Sequence, residues 1–262
     1  MKKDFKIYLF LLVLIILGFV FYNNRVMIKE YFSEPEKIEL PEEIKFEDVV
    51  EKQKNPETEE QEIKTKEVAE DKLEILEINL AVPFTIQSPD QKWEEPYKEG
   101  CEEASILMVQ AFLNDQAISI ASALEDIGDM VDWQLENYGG HFDLSASTTV
   151  QMAKEFLNLN AELIHLESIK EIKEIIKTGY PLILPCAGRE LGNPNFKQPG
   201  PLYHMLIVKG FTKDGLIITN DPGTRKGENY VYSPDILWQA IADWDYDFQS
   251  PNQNKKLGII LK

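Results

Sequence analysis

The chain has 262 residues, 44% apolar and 27% charged, the mixture of a folded protein long enough for one large or two small domains. Its 45 acidic residues outnumber 27 basic ones, and the net charge of −18 argues against nucleic-acid binding, because affinity for phosphate depends on clustered lysine and arginine. Two cysteines, Cys101 and Cys186, exclude a disulfide-dense scaffold and a four-cysteine zinc site, and three histidines leave few candidates for acid–base chemistry.

Residues Ile7 to Tyr22 read IYLFLLVLIILGFVFY, without a charge or a proline. Such a run predicts a single transmembrane anchor, slightly short of the ~20 residues that span a bilayer. The run ends in Tyr22 and is followed by Asn23, Asn24 and Arg25, not by the small residues of a cleavage site. Lys2, Lys3 and Lys6 predict a cytoplasmic N-terminus, with the rest of the chain extracytoplasmic at the cell membrane. The expected first segment is therefore 1–29, a stub and an anchor. From Glu30 to Asp71 the chain carries 16 acidic residues against 6 lysines. Residues 30–72 are thus expected to be a disordered acidic linker, too polar to offset the entropy of ordering.

A folded domain is expected over 73–262. Cys101 opens a helical run, CEEASILMVQAFL, whose Ala104, Leu107, Met108, Ala111 and Phe112 recur at helical spacing. A second helix is expected within Ile118–Tyr138, and a third after Ser145 or Ser147. Ser168-Ile-Lys-Glu171 reads as a capping box for a fourth, ending at Gly179. Strands follow at Pro181-Leu-Ile-Leu-Pro185, at His204–Gly210 and at Gly215–Asp221, the last two joined as a hairpin through Lys213-Asp214-Gly215. Tyr230–Tyr232 reads as another strand. Ser233-Pro234-Asp235 starts a final helix to about Asp243, and Leu257–Leu261 closes the sheet. Helices first and a mostly antiparallel sheet second make the class α+β.

Three residues carry the chemistry of this pattern. Cys101 stands at a helix N-terminus, where the dipole and free N–H groups favour a thiolate. His204 begins a strand, and Asp221 ends the next one before Pro222-Gly223. In an antiparallel hairpin those two ends meet, so the carboxylate can reach the imidazole and fix its tautomer. Cys186 reads as a small hydrophobe after its strand, with a Cys101–Cys186 disulfide as the competing reading. His141 reads as a loop residue, His165 as a strand-face residue, and Trp93, Trp238 and Trp244 as packing or groove-wall residues. The Gly/Pro-rich segment Gly188–Pro201 is either part of a cleft or a surface insertion.

The stretches VPFTIQSPDQKWEEPYKEGCEEAS at 82–105, YHMLIVKGF at 203–211 and ITNDPGT at 218–224 resemble the C39-like cysteine peptidase family of the papain-like superfamily. The resemblance covers roughly Ala81 to Leu261. It implies a papain-like fold with helices packed on a mostly antiparallel sheet. It also implies Cys101 as nucleophile, His204 as base, Asp221 as its orienting partner and Gln87 at the oxyanion, with Gln91 as the fallback. No cofactor or metal is implied, and the partner is a peptide or protein substrate. A peptidoglycan amidase or transpeptidase would use the same triad, and an inactive binding module would keep only the fold. Many family members carry Cys-Gly at the nucleophile, whereas this chain has Cys101-Glu102-Glu103. Two carboxylates there raise a thiol's pKa unless they point away.

Overall fold

The apolar run after Gly100 forms helix α1, Cys101–Leu113, in the computed structural model, which describes residues 38–49 and 76–262. The helical spacing accounted for one buried face. Ile106 and Val109, off that face, have no exposed surface either, because α1 is enclosed between α2 (Ile120–Tyr138) and the sheet. Ser119 caps α2 by accepting from Ser122 N, and Ser145 caps α3 (Ala146–Glu155) by accepting from Thr148 N. Helix α4, Ile169–Lys177, buries Ile172 and Ile176 one turn apart. Its capping box is only half formed. Ser168 Oγ accepts from Glu171 N at 3.3 Å, but the Glu171 carboxylate accepts from Glu167 N. The last helix, α5, spans Pro234–Ala240 and stops short of Asp243.

The main sheet runs β1 (Glu43–Ile44), β2 (Ile78–Leu80), β5 (Tyr203–Phe211), β4 (Leu182–Ala187), β10 (Leu257–Leu261) and β3 (Ala161–His165). Strand β6 (Ile217–Asn220) also pairs with β5, and β7 (Tyr230–Tyr232) pairs with β6. A separate pair joins β8 (Asp243–Asp245) to β9 (Ser250–Asn252). Among the described residues only β1 and β2 pair in parallel, so the class is α+β with a mostly antiparallel sheet. Leu257–Leu261 does not close the sheet as an edge; it lies between β4 and β3. Strand β4 runs through Pro185 and includes Cys186, which the sequence placed beyond the strand.

Strand β5 organises the rest. Tyr203–Val208 pair with β4 along one side, while on the other side β6 begins only at Ile207. The stretch around Met205 is left as an open edge, and the N-terminus of α1 meets it there. A bulge interrupts the β5–β6 register between Val208 and Gly210. Any Cβ at Gly210 would stand 2.2 Å from Ile78 O, so β2 can approach β5 only because this residue is glycine.

The expected acidic linker needs a correction at residues 40–49, which belong to the same compact unit as the domain, Leu40–Lys262. The minority apolar residues there find partners. Val49 is buried, and Phe46 packs edge-on against Phe112 and tilted against Tyr180, with ring centroids 5.9 and 5.2 Å apart. The acidic residues are not all solvated either. Lys209 on β5 has no exposed surface, and its ammonium donates to Glu43 Oε1 at 2.5 Å and to Asn229 Oδ1 at 2.8 Å. A buried lysine needs a counter-charge, and Glu43 supplies it. The expected anchor at 7–22 and the linker at 50–72 lie outside the described residues. Among the described residues no helix is long and apolar enough to cross a membrane.

Glu43→Ala leaves the Lys209 ammonium buried with only an amide oxygen. Because Glu43 is itself 44% exposed, the expected cost is about 1–3 kcal/mol, read as a fall of several degrees in Tm by thermal unfolding. An unchanged Tm would show that the β1 contact contributes nothing to the fold.

Candidate active site

The hairpin brings His204 and Asp221 together. Asn220 pairs with Ile207, which sets Asp221 beside the start of β5, and His204 Nε2 lies 2.8 Å from Asp221 Oδ1. Asp221 is fully buried and accepts from four groups. Gly223 N donates to Oδ1 at 3.0 Å, and Asn193 Nδ2 and the Tyr232 hydroxyl donate to Oδ2 at 3.2 and 2.7 Å. Burial alone would push this carboxyl up. The His204 charge and the hydrogen bonds from His204, Tyr232 and Gly223 outweigh it, so the group is held below its ordinary value. An ionised Asp221 takes the Nε2 proton as its hydrogen bond, which leaves Nδ1 of His204 as the basic nitrogen. The ring is packed edge-on by Phe196, centroids 5.4 Å apart. A Cβ at Gly223 would come within 2.8 Å of His204 Cε1, so the turn can close over the ring only with glycine there.

Cys101 meets the same strand end. Its Sγ accepts from Met205 N at 3.4 Å, one residue along from His204, at the open edge of β5. Both cysteines are free and buried, and no disulfide joins them. Cys186 faces His204 across the β4–β5 ladder and donates to Leu184 O at 3.8 Å. The expectation of a lowered thiol pKa at Cys101 is overturned. Burial pushes the thiol well up, and the charge and hydrogen bond of Glu102 push it further, with Glu102 Oε2 only 3.0 Å from Sγ. The acid at 102 thus points at the sulfur.

Glu102 belongs to a buried acidic network that the sequence did not reveal. Its Oε1 accepts from Leu144 N at 2.9 Å, and burial followed by the charges of Glu103 and Asp143 holds its own pKa well up. Glu103 accepts from Gln134 Nε2 and lies 3.4 Å from His141 Nε2. Burial works to lower His141, but Glu103 outweighs it and keeps the imidazole above its ordinary value. His141 is a loop residue, as expected, with its ring set against Glu103. Asp143 is pushed up to about 6, first by burial and then by Glu99.

Gln87 is buried against the helix start. Its backbone N–H donates to Pro222 O at 3.0 Å, its side-chain amide donates to Lys98 O, and a Cβ at Gly100 would lie 3.4 Å from Gln87 O. Gln91 is exposed and accepts from Arg225 Nη1 at 3.3 Å. The two glutamines are thus distinguished by place: Gln87 adjoins the residue before Cys101, and Gln91 faces the solvent side. A cavity of about 670 Å³ opens here, with Gln87, Trp93, Phe196 and Gly223 in its wall. Asn195, Phe196, Lys197, Gly200 and Pro201 line it as well, so the Gly188–Pro201 segment is part of a cleft. Trp93 is a wall residue, while Trp244 packs on Tyr203 at 5.4 Å between centroids.

Asn193, Tyr232 and Phe196 support the His–Asp pair, and sequence reasoning missed all three. Asn193 and Phe196 share one loop and Tyr232 stands on β7, and none stands at a fixed spacing from the residue it supports. Glu102 was visible only as a departure from the family pattern.

Removing the Glu102 charge should make the thiol easier to ionise, because a neighbouring anion favours the neutral form. Glu102→Gln should shift the pH midpoint of Cys101 alkylation by iodoacetamide downward by at least about one unit, located by peptide mass. A midpoint that stays put would show that burial alone sets the thiol's reactivity.

Comparison with known proteins agrees with the resemblance in the sequence. The sequence model of the Peptidase_C39 like family matches residues 79–249. No curated protein matches. Among solved structures, a C39-like protein from Bacillus anthracis is 16% identical with a TM-score of 0.45, over 71% of this chain and 97% of that one. A prointerpain A fragment from Prevotella intermedia is 15% identical, TM-score 0.33, over 54% of this chain and 41% of that one. UfSP from C. elegans is 14% identical, TM-score 0.32, over 68% of this chain and 31% of that one. With the family match spanning more than half of its length, this chain belongs to the C39-like peptidase family.

Proposed function

We propose that the chain is a cysteine peptidase that hydrolyses peptide or isopeptide bonds with Cys101, His204 and Asp221, on a domain tethered outside the cell membrane by residues 7–22. The observation that carries the catalytic reading is the buried His204–Asp221 pair at 2.8 Å beside a strand residue whose N–H meets Cys101 Sγ. The apolar run at 7–22 and the lysines before it support the tether.

The raised thiol pKa decides the order of events. At neutral pH the proton rests on sulfur, so Cys101 attacks as His204 Nδ1 takes that proton, by general base catalysis. A C–S bond forms to the carbonyl carbon. The first N–H groups of α1 have no intrahelical partner, so the Cys101 N–H can donate to the oxyanion. Gln87 Nε2 carries two hydrogens and gives one to Lys98 O, leaving the second for the same oxygen. Collapse breaks the C–N bond, and the imidazolium gives its proton to the departing amine. Water then attacks the thioester with His204 again as base, releasing the acid and the thiol. Asp221 keeps the ring in its working tautomer throughout.

Hydrolysis of a mixed synthetic peptide library by the full chain, read by mass spectrometry, tests this reading. Cys101→Ala and His204→Ala should reduce turnover to background. Asp221→Asn should cost roughly 10²–10⁴-fold in kcat, because the amide supports the wrong tautomer. Cleavage that survives Cys101→Ala would overturn the assignment.

A further inference from the structure

The wall of the cleft beside His204 has the opposite charge to the rest of the molecule. The chain carries 45 acidic residues against 27 basic ones, yet the cavity lining includes Lys98, Lys197, Arg225 and Lys226 and no carboxylate. Lys98 is already paired with Glu95 at 2.6 Å. The other three are exposed, and among the described residues none of them forms an ion pair; Arg225 donates only to the Gln91 amide oxygen. They come from two separate loops, 193–201 and 223–226, that converge on the cavity. Phe196 and Trp93 are in the same lining and add apolar surface to it.

We infer that this cleft selects acidic peptide segments, with carboxylates of the substrate set against Lys197, Arg225 and Lys226 and its backbone led toward His204. The inference rests on the peptidase reading for the position of the bond to be cut, but the binding preference stands on the lining alone. A chain with net charge −18 repels anions in general, so a cationic cleft concentrates the acidic ligand at one place. Exposed cations interact through high dielectric, so each adds modestly, and the sum is sensitive to salt. A cavity of about 670 Å³, partly apolar in its wall, takes a few residues of extended peptide. The cleft adjoins His204, whose proposed reaction is on peptide bonds, and this favours a peptide over an anionic nucleic acid strand.

The test uses the full chain carrying Cys101→Ala, so that ligands are bound and not consumed. Three labelled peptides of equal length, Glu-rich, Gln-rich and Lys-rich, are titrated by fluorescence anisotropy at about 20 and 300 mM salt. The Glu-rich peptide should bind about 10-fold or more tighter than its Gln isostere at low salt, and the gap should shrink at high salt. Lys197→Glu with Lys226→Glu should remove or reverse that order, and Lys226→Gln, a milder change at an exposed site, should lower it partway. Equal binding of the Glu and Gln peptides, a preference that survives the charge reversal, or displacement by a short oligothymidylate as effective as by the Glu-rich peptide would each overturn the inference. Turnover by the unmodified chain separates the two readings. Library cleavage without an acidic bias overturns the cleft selectivity alone, and acidic binding without any cleavage overturns the peptidase reading alone.

Discussion

The buried carboxylate of Asp221 is the constraint on which the site depends. An unpartnered anion in that place would cost several kcal/mol, so the fold must bring donors to it. It does so from His204 at the start of β5, the Gly223 N–H in the following turn, Tyr232 on β7 and Asn193 in the Gly/Pro-rich loop. Three segments distant in sequence are thereby fixed, with the adjoining turn, to one point. The same bonds that stabilise the charge orient the imidazole, so stability and the geometry of the His204–Asp221 pair share a cause. The loop that supplies Asn193 also supplies Phe196 to the ring and Lys197 to the cleft, and its place is set by that one carboxylate.

The thiol is positioned by a different device. Strand β5 is paired on both sides over most of its length, but around Met205 one edge is open. The N-terminus of α1 fills the gap, and a backbone N–H that would otherwise be orphaned finds the Cys101 sulfur. The helix dipole favours the thiolate there. Full burial and a carboxyl group 3.0 Å away oppose it, and they prevail. Burial first, and then the carboxyl beside the sulfur, outweigh the helix end, so placement at a helix start does not by itself lower a thiol's pKa. The Glu102 carboxyl, itself held up in pKa by burial and by Glu103, ties the state of the thiol to the acidic network behind it.

The acidic segment before the domain shows how composition misleads at short range. Sixteen acids in 42 residues read as a solvated spacer. Yet one of them, Glu43, is the counter-ion of a lysine with no exposed surface, and Phe46 and Val49 pack on the domain. A charge that looks like repulsion in sequence becomes attraction once an interior lysine is known. Lys209 stood inside an apolar strand run, and only the pairing of β1, β2 and β5 shows why the strand tolerates it.

The sequence by itself determined the five helices and the central strands, but not β1, β2, β8 and β9. Hydrophobic periodicity, caps and turn residues located the helices and strands, since these are local effects of side chains on their own backbone. The hairpin logic placed Asp221 beside His204, because pairing between adjacent strands follows from the turn that joins them. What tertiary structure alone decided involves groups brought together from afar. These are the Glu102 carboxyl aimed at the sulfur, the Asn193 and Tyr232 donors on Asp221, the His141–Glu103 contact, Glu43 on Lys209 and the cationic lining of the cleft. Direction of a side chain, burial and charge environment are properties of packing. No spacing along the chain encodes them, so they became legible only when the strands and loops were set side by side.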